Sequence, residues 1–143
     1  MVIPARVTAS LCETIASTRL PVVMVLHINH ANEVDESVMR AVGRLRAVCR
    51  SVLNQAVILR GVNDSAESLI ALSERVFEVG IDPYYLNVLD RVAGAHHFDV
   101  TDKEVAALHE ALLNALPGYL VPKLVREVPG VGHKMPWRET ACL

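Results

Sequence analysis

The sequence predicts an α/β fold in which about four parallel strands alternate with helices. Near-continuous apolar runs of strand length, such as residues 21–28, are typical of parallel strands covered on both faces. Between these runs, apolar residues recur at helical spacing, and residues that cap helices stand at the boundaries. This alternation predicts a parallel sheet with right-handed crossovers and helices packed outside it.

The first half of the chain is expected to hold one helix and a β-α-β unit. The opening helix has one apolar face on Val7, Leu11 and Ile15. A first strand at residues 21–28 follows, and Asp35 is placed to cap a second helix before a second strand at residues 54–59. The apolar face of the second helix is formed by Val38, Val42, Leu45 and Cys49.

A third helix and strand continue the alternation. Asp64 with Glu67 resembles a capping box at the start of a helix that Gly80 ends, and a strand is expected at residues 84–89. The apolar face of this helix is formed by Leu69, Leu72, Val76 and Val79.

A second capping box, Thr101 with Glu104, opens the fourth helix. That helix breaks at residues 117–118, before a fourth strand at residues 119–126. Its apolar face is formed by Val105, Leu108, Leu112 and Leu116. Four strands cannot close a barrel, and both outer strands would expose unpaired edges. We therefore expect an arc of a larger barrel.

Composition narrows the class of protein. The 143 residues are one domain's worth of chain, and 14 basic against 16 acidic residues, without a basic block, predict no binding to nucleic acid or anionic membranes. The apolar run is too short to cross a bilayer and no signal peptide is evident, so a cytoplasmic protein is expected. Cys12, Cys49 and Cys142 are widely separated and are expected to be reduced thiols.

Lys134 follows a glycine-punctuated turn and is a candidate imine-forming amine. Gly130 and Gly132 can adopt backbone angles closed to other residues, while Val125 and Val128 are expected to supply apolar walls. Partial desolvation would make more of the amine neutral and nucleophilic. The pattern by itself is more often only a solvated loop.

Other polar residues fall where the predicted strands end, as functional residues do in α/β barrels. His27 and His30 are three residues apart, which on a strand directs the rings to opposite faces and favours hydrogen-bonding or buried histidines over a metal pair. Asp90 is either a functional carboxylate or a loop cap. The Asn54-Gln55 pair is either functional or simply the polar start of a strand. Tyr84 and Tyr85 are more often aromatic residues of the core and its rim than parts of a cofactor site.

Four segments of the chain are informative when they are read together: NHANEVDES, LNQAVILRGVNDS, PYYLNVLDRVAGAHHF and GYLVPKLVREVPG. In this order they resemble the lysine 2,3-aminomutase family of radical S-adenosylmethionine enzymes. The likeness runs from residue 3 to 136 and is greatest to the branch that makes β-lysine for modification of elongation factor P. It implies that residues 1–136 are the C-terminal part of a radical S-adenosylmethionine (β/α) barrel domain and that residues 137–143 are a short tail.

The resemblance also implies roles for individual residues. Lys134 matches the lysine that holds pyridoxal phosphate as an imine, and Tyr84 matches a tyrosine that lines the cofactor's pocket. Asp90 and Glu127 match two carboxylates that bind the distal ammonium of the substrate, L-lysine or a related amino acid; the clostridial relatives have aspartate at the second position.

Further matches concern S-adenosylmethionine and metal. His27 and Gln55 fall on positions that contact S-adenosylmethionine, with Asn54 beside them as a secondary candidate. Asn87 departs from the tyrosine or histidine of relatives. Ser65 stands where clostridial enzymes have a zinc-ligand cysteine, so no zinc is expected, and no metal ligand is assigned in this chain.

The sequence lacks the Cys-x-x-x-Cys-x-x-Cys motif that holds the 4Fe–4S cluster of such enzymes. We therefore expect a C-terminal fragment that is inactive without an N-terminal half, which would also carry the arginines for the cofactor phosphate and the substrate carboxylate. Homo-oligomers are a further possible assembly. Two alternatives remain: a stand-alone, non-catalytic α/β domain that binds an amino acid or pyridoxal phosphate, and a non-radical pyridoxal phosphate protein.

Overall fold

The computed structural model describes residues 4–90, 94 and 96–137. Its centre is one sheet with the strand order β1-β2-β3-β4-β5. The first four strands are parallel, and β5 is antiparallel to β4. The strands are β1 Val23–His27, β2 Ser51–Val57, β3 Asp82–Asn87, β4 Lys123–Arg126 and β5 Met135–Pro136.

Helices precede β1 and connect the parallel strands in turn. They are α1 Ala9–Ser17, α2 Glu36–Val48, α3 Ala66–Glu78 and α4 Asp102–Ala115, with short 3-10 turns at Pro4–Arg6, Ala31–Glu33, His96–Phe98 and Gly118–Leu120. In the described ranges no helix has the length and apolar composition needed to cross a membrane. The α/β alternation and the four parallel strands are confirmed. The sheet formed by the described residues is open, so the barrel remains a proposal.

The structure corrects several predicted boundaries. The fourth strand begins at Lys123 rather than at residue 119, because Gly118–Leu120 forms a 3-10 turn. Asp35 and the Thr101 capping box are confirmed. The capping box at Asp64 is wrong: the Ser65 side chain accepts from the N–H of Ser68 and caps α3, whereas Asp64 Oδ1 accepts from the N–H of Gly61.

The sheet has one covered face and one open face. Alternate strand residues point to opposite faces, and those that point toward the helices are buried, including Val52, Asn54, Ala56 and Leu86. On the opposite side, Val23 and Val25 of β1 are 50% and 42% exposed. We call this side the open face; in β1, β2 and β3 it includes Val23, Val25, His27, Ser51, Leu53, Gln55, Val57, Tyr85 and Asn87.

Candidate functional site

A pocket of about 1200 Å³ lies at the carboxyl edge of the sheet, beyond the ends of β3 and β4. It brings together three residues that the sequence singled out: Asp90, Glu127 and Lys134. The residues that line it are Leu89, Asp90, Asp99, Val100, Thr101, Asp102, Arg126, Glu127, Val128, Pro129, Gly130, Val131, Gly132, His133 and Lys134. In parallel sheets this edge is where ligands bind.

The turn that carries Lys134 is anchored at both ends by the sheet. It leaves from β4 and returns as β5, which pairs Arg126 with Met135, so Lys134 stands directly before a fixed strand. Gly130 has φ of +83°, as expected, but Gly132 has no positive φ. Val128 lines the pocket as expected and is 40% exposed, whereas Val125 is buried and is not among the lining residues.

The amine of Lys134 lies in a polar cage. Nζ donates to Glu127 Oε1 at 2.5 Å and to Asn87 Oδ1 at 2.8 Å. It also lies 5.7 Å from the centroid of the Tyr85 ring, within cation–π range. The Lys134 side chain is 26% exposed, so the amine is partly shielded from water. To attack a carbonyl, this amine must leave the ion pair and lose a proton.

Asn87 is the residue of this cage that sequence reasoning had noted only as a departure from relatives. Its Nδ2 donates to the carbonyl of Ala56 at 2.9 Å, which directs Oδ1 to Lys134. The feature that could have predicted this contact is the position of Asn87 at the carboxyl end of β3, on the same face as Tyr85.

Two of the residues matched to S-adenosylmethionine positions lie side by side on the open face. His27 pairs in register with Gln55, and Gln55 pairs with Tyr85, so the three form a row across β1, β2 and β3. His27 is exposed, and its Nε2 lies 3.1 Å from Asn29 Oδ1. His30 lies beyond β1, at the cap of a 3-10 turn, so the premise that both histidines share a strand was wrong.

Asn54 and Tyr84 lie away from the pocket. The Asn54 amide is buried on the helix side of the sheet, opposite in direction to Gln55, and both its polar atoms bond the backbone of Ile28. Tyr84 contacts Tyr85, with ring centroids 3.8 Å apart, and the hydrogen bond that the Tyr84 hydroxyl donates to Tyr85 raises the pKa of Tyr84. Tyr85, rather than Tyr84, is the tyrosine beside the Lys134 amine.

In the part of the chain that the structure describes, no cluster of three or more His, Cys, Asp or Glu residues is placed to hold a metal ion. Cys12 and Cys49 are free thiols, and burial, with Cys12 nearby, raises the pKa of Cys49. Cys142 lies outside the described residues. Ser65 is used as the cap of α3. These residues do not fit a 4Fe–4S cluster, which needs several thiolates at one point.

Comparison with known proteins supplies the context for this pocket. No family model matches the chain. It is 51% identical to the L-lysine 2,3-aminomutase of Escherichia coli over 95% of this chain and 40% of that protein. It is 48% identical to the L-lysine 2,3-aminomutase of Haemophilus influenzae, over 97% of this chain and 41% of that protein. Identity to the L-lysine 2,3-aminomutase of Clostridium subterminale is 33%, over 95% of this chain and 32% of that protein. Over nearly its whole length the chain is therefore similar to part of the L-lysine 2,3-aminomutases, and it spans between 32% and 41% of the length of these relatives.

Proposed function

We propose that this chain is the C-terminal part of a radical S-adenosylmethionine and pyridoxal phosphate dependent enzyme that converts L-lysine to β-lysine. The observation that carries the proposal is the pocket in which Lys134, Glu127 and Asp90 meet. It is supported by 51% identity to a protein named L-lysine 2,3-aminomutase. Under this proposal the chain binds the substrate's side chain and carries the lysine that binds the cofactor, and it generates no radical itself.

Glu127 and Asp90 are proposed to bind the distal ammonium of the substrate. Charge-assisted hydrogen bonds from an ammonium to a carboxylate are stronger than neutral ones, so paired carboxylates select an amine over an uncharged side chain. Support comes from Glu127, which already accepts from a primary ammonium, that of Lys134, at 2.5 Å. Asp90 lines the same pocket and is exposed, within reach of a ligand from solvent.

The residues around Lys134 fit pyridoxal phosphate at its aldehyde end. The amine is shielded, faces an aromatic ring and opens into a pocket large enough for a cofactor and an amino acid. When bound, this cofactor supplies an aldehyde for amines and a conjugated ring that stabilises an unpaired electron. Arg126 faces the same pocket but is paired with Asp102 at 2.5 Å, so we assign the cofactor phosphate to arginines of the remaining part of the enzyme.

S-adenosylmethionine is assigned to the open face. His27 and Gln55 offer it adjacent polar groups, and their row leads through Tyr85 to the Lys134 amine. Asn54 points away from this face, and we assign it a supporting role through Ile28. The 4Fe–4S cluster is assigned to the part of the enzyme that this chain does not span.

The open face is proposed to pack against that remaining part. Val23 and Val25 expose apolar surface there, and β1 forms one edge of the sheet. Proteins normally cover exposed apolar surface and unpaired sheet edges, and closing a barrel would cover both at once.

A two-chain experiment tests this function. The chain would be co-expressed with the segment of the Escherichia coli relative that it does not match, and β-lysine would be measured by mass spectrometry with S-adenosylmethionine, pyridoxal phosphate and a reductant present. We expect β-lysine only when both chains are present, and none with Lys134→Ala. Turnover by this chain alone would refute the fragment proposal. Mass analysis of elongation factor P from the same cells tests whether the product serves its modification.

The alternative of a stand-alone binding domain has its own test. Titration of the isolated chain with L-lysine and S-adenosylmethionine distinguishes the two, because a complete binding domain would bind one of them tightly as a stable monomer. We expect weak binding of both, since the remaining contacts lie on the missing part.

A further inference from the structure

We infer that Glu127 and Asn87 form a primary-ammonium site which Lys134 itself occupies while the chain is free of ligand, so that substrate amine and Lys134 compete for it. The inference rests on the proposed function for the identity of the competing amine. It adds a residue, Asn87, and a coupling between the cofactor lysine and substrate binding.

The contacts around the Lys134 amine are those of an ammonium site. A primary ammonium has three N–H donors and no acceptor. Glu127 Oε1 accepts one hydrogen bond from the amine at 2.5 Å, and Asn87 Oδ1 accepts another at 2.8 Å. The face of Tyr85 lies 5.7 Å away and adds attraction for a cation. An alkylammonium from another molecule would satisfy the same groups in the same way.

The site is fixed on one side and open on the other. Asn87 is held in β3 between Val57 and Val125, and its amide is tied to the carbonyl of Ala56, so its oxygen keeps its direction without Lys134. The Glu127 side chain is 59% exposed. An amine that enters the pocket from solvent can therefore reach the Glu127 carboxylate, and the Asn87 amide oxygen is already oriented to accept from it.

Lys134 is a competitor with a high effective concentration. It belongs to the same chain and stands on a turn anchored by β5, so it returns to Glu127 far more often than a dilute amine arrives. Condensation with an aldehyde would remove this competitor. The ammonium first loses a proton to solvent, and the C=N bond then replaces the C=O bond of the aldehyde, whose oxygen leaves as water with both amine hydrogens. Glu127 and Asn87 are then free for the substrate.

Calorimetric titration with L-lysine tests the inference without any cofactor. Relative to wild type, Lys134→Ala should bind L-lysine about fivefold more tightly, because an exposed ion pair and its hydrogen bond no longer compete. The side-chain amide signals of Asn87 in a nitrogen–proton NMR spectrum should shift with lysine in that variant. Lys123→Ala is the matched control, since Lys123 lies on β4 near Tyr84 and should leave the affinity unchanged.

Two double variants complete the test. Adding Asn87→Leu or Glu127→Gln to Lys134→Ala should abolish the gain, and the NMR spectrum reports whether each variant remains folded. Equal affinity of Lys134→Ala and wild type, or an equal gain in Lys123→Ala, would overturn the inference. Labelling of wild-type Lys134 by pyridoxal phosphate and borohydride is measured separately. If labelling fails while the binding results hold, the cofactor role is wrong and the ammonium site stands.

Discussion

Asn54 directs both polar atoms of its side chain to the backbone of a single residue, Ile28. Oδ1 accepts from the Ile28 N–H at 2.9 Å, and Nδ2 donates to the Ile28 carbonyl at 3.0 Å. Ile28 comes directly after β1 and is fully buried, so these groups have no access to water. The contact fixes the point at which the chain leaves β1, one residue after His27.

Replacing Asn54 by alanine should destabilise the fold strongly. The substitution leaves a buried N–H and a buried carbonyl of Ile28 without this partner, and we expect the free energy of unfolding to fall by about 2–4 kcal/mol. Urea unfolding followed by circular dichroism measures the change. Gln55→Ala is the control, because Gln55 points to the open face and its loss should change stability by no more than about 0.5 kcal/mol. Equal effects of the two substitutions would contradict this account.

Gly80 should not tolerate a side chain. It has φ of +84° and ends α3 with a Schellman pair of bonds, Gly80 N to Phe77 O and Ile81 N to Val76 O, both at 2.9 Å. We expect Gly80→Ala to cost about 1–2 kcal/mol, because a side chain disfavours this left-handed conformation. A Cβ there would also displace the flexible end of Arg46.

Gly43 supplies a control of opposite sign for that measurement. It lies within α2, and a Cβ at this position meets nothing within 4 Å. Gly43→Ala should therefore stabilise the chain by about 0.5–1 kcal/mol through helix propensity. Thermal unfolding of the two variants should move the midpoint in opposite directions.

Stability should fall at low pH through Glu104. Its carboxylate accepts from Arg60 Nη2 at 2.8 Å and from Thr101, and these bonds lower its pKa from 4.5 to about 2. In this range the unfolded chain binds more protons, so the contribution is complete above about pH 4.5 and is lost as the pH falls toward 2. Unfolding measured across this range should show a smaller loss in Glu104→Gln than in wild type. Glu110→Gln, on the same helix, should keep the wild-type dependence.

The fold was predictable where local chemistry decides it. The caps at Asp35 and Thr101, and the end of α3 at Gly80, are set by residues within one turn of each helix end. β5 was missed because two residues carry no local signal, and pairing with β4 alone makes them a strand. The choice of Ser65 over Asp64 as a cap depended on the tertiary turn in which Asp64 bonds Gly61.

The sequence predicts which loops come together at the candidate site. It predicts the individual side-chain contacts there less well. The rule that strand ends share one edge brings Asp90, Glu127 and Lys134 into one pocket. The contacts of Tyr85 and Asn87 depend on register instead. The pairing between β2 and β3 shifts between Asn54 and Gln55, so the sequence alone did not fix which tyrosine follows Gln55 across the sheet.

Tyr85 should therefore matter more than Tyr84 for cofactor capture by Lys134. The Tyr85 ring faces the Lys134 amine at 5.7 Å, whereas the Tyr84 ring lies 6.0 Å from the amine of Lys123. We expect Tyr85→Leu to lower the yield of borohydride-trapped pyridoxal phosphate on Lys134 by about two- to fivefold, because the cofactor ring would lose the aromatic side chain beside the amine on which it can pack. Tyr84→Phe keeps the ring that stacks on Tyr85 and should leave the yield unchanged, and peptide mass spectrometry quantifies both. A larger loss in Tyr84→Phe would show that the cofactor depends on the Tyr84 hydroxyl and would favour Tyr84, the tyrosine that the family resemblance implies, over Tyr85.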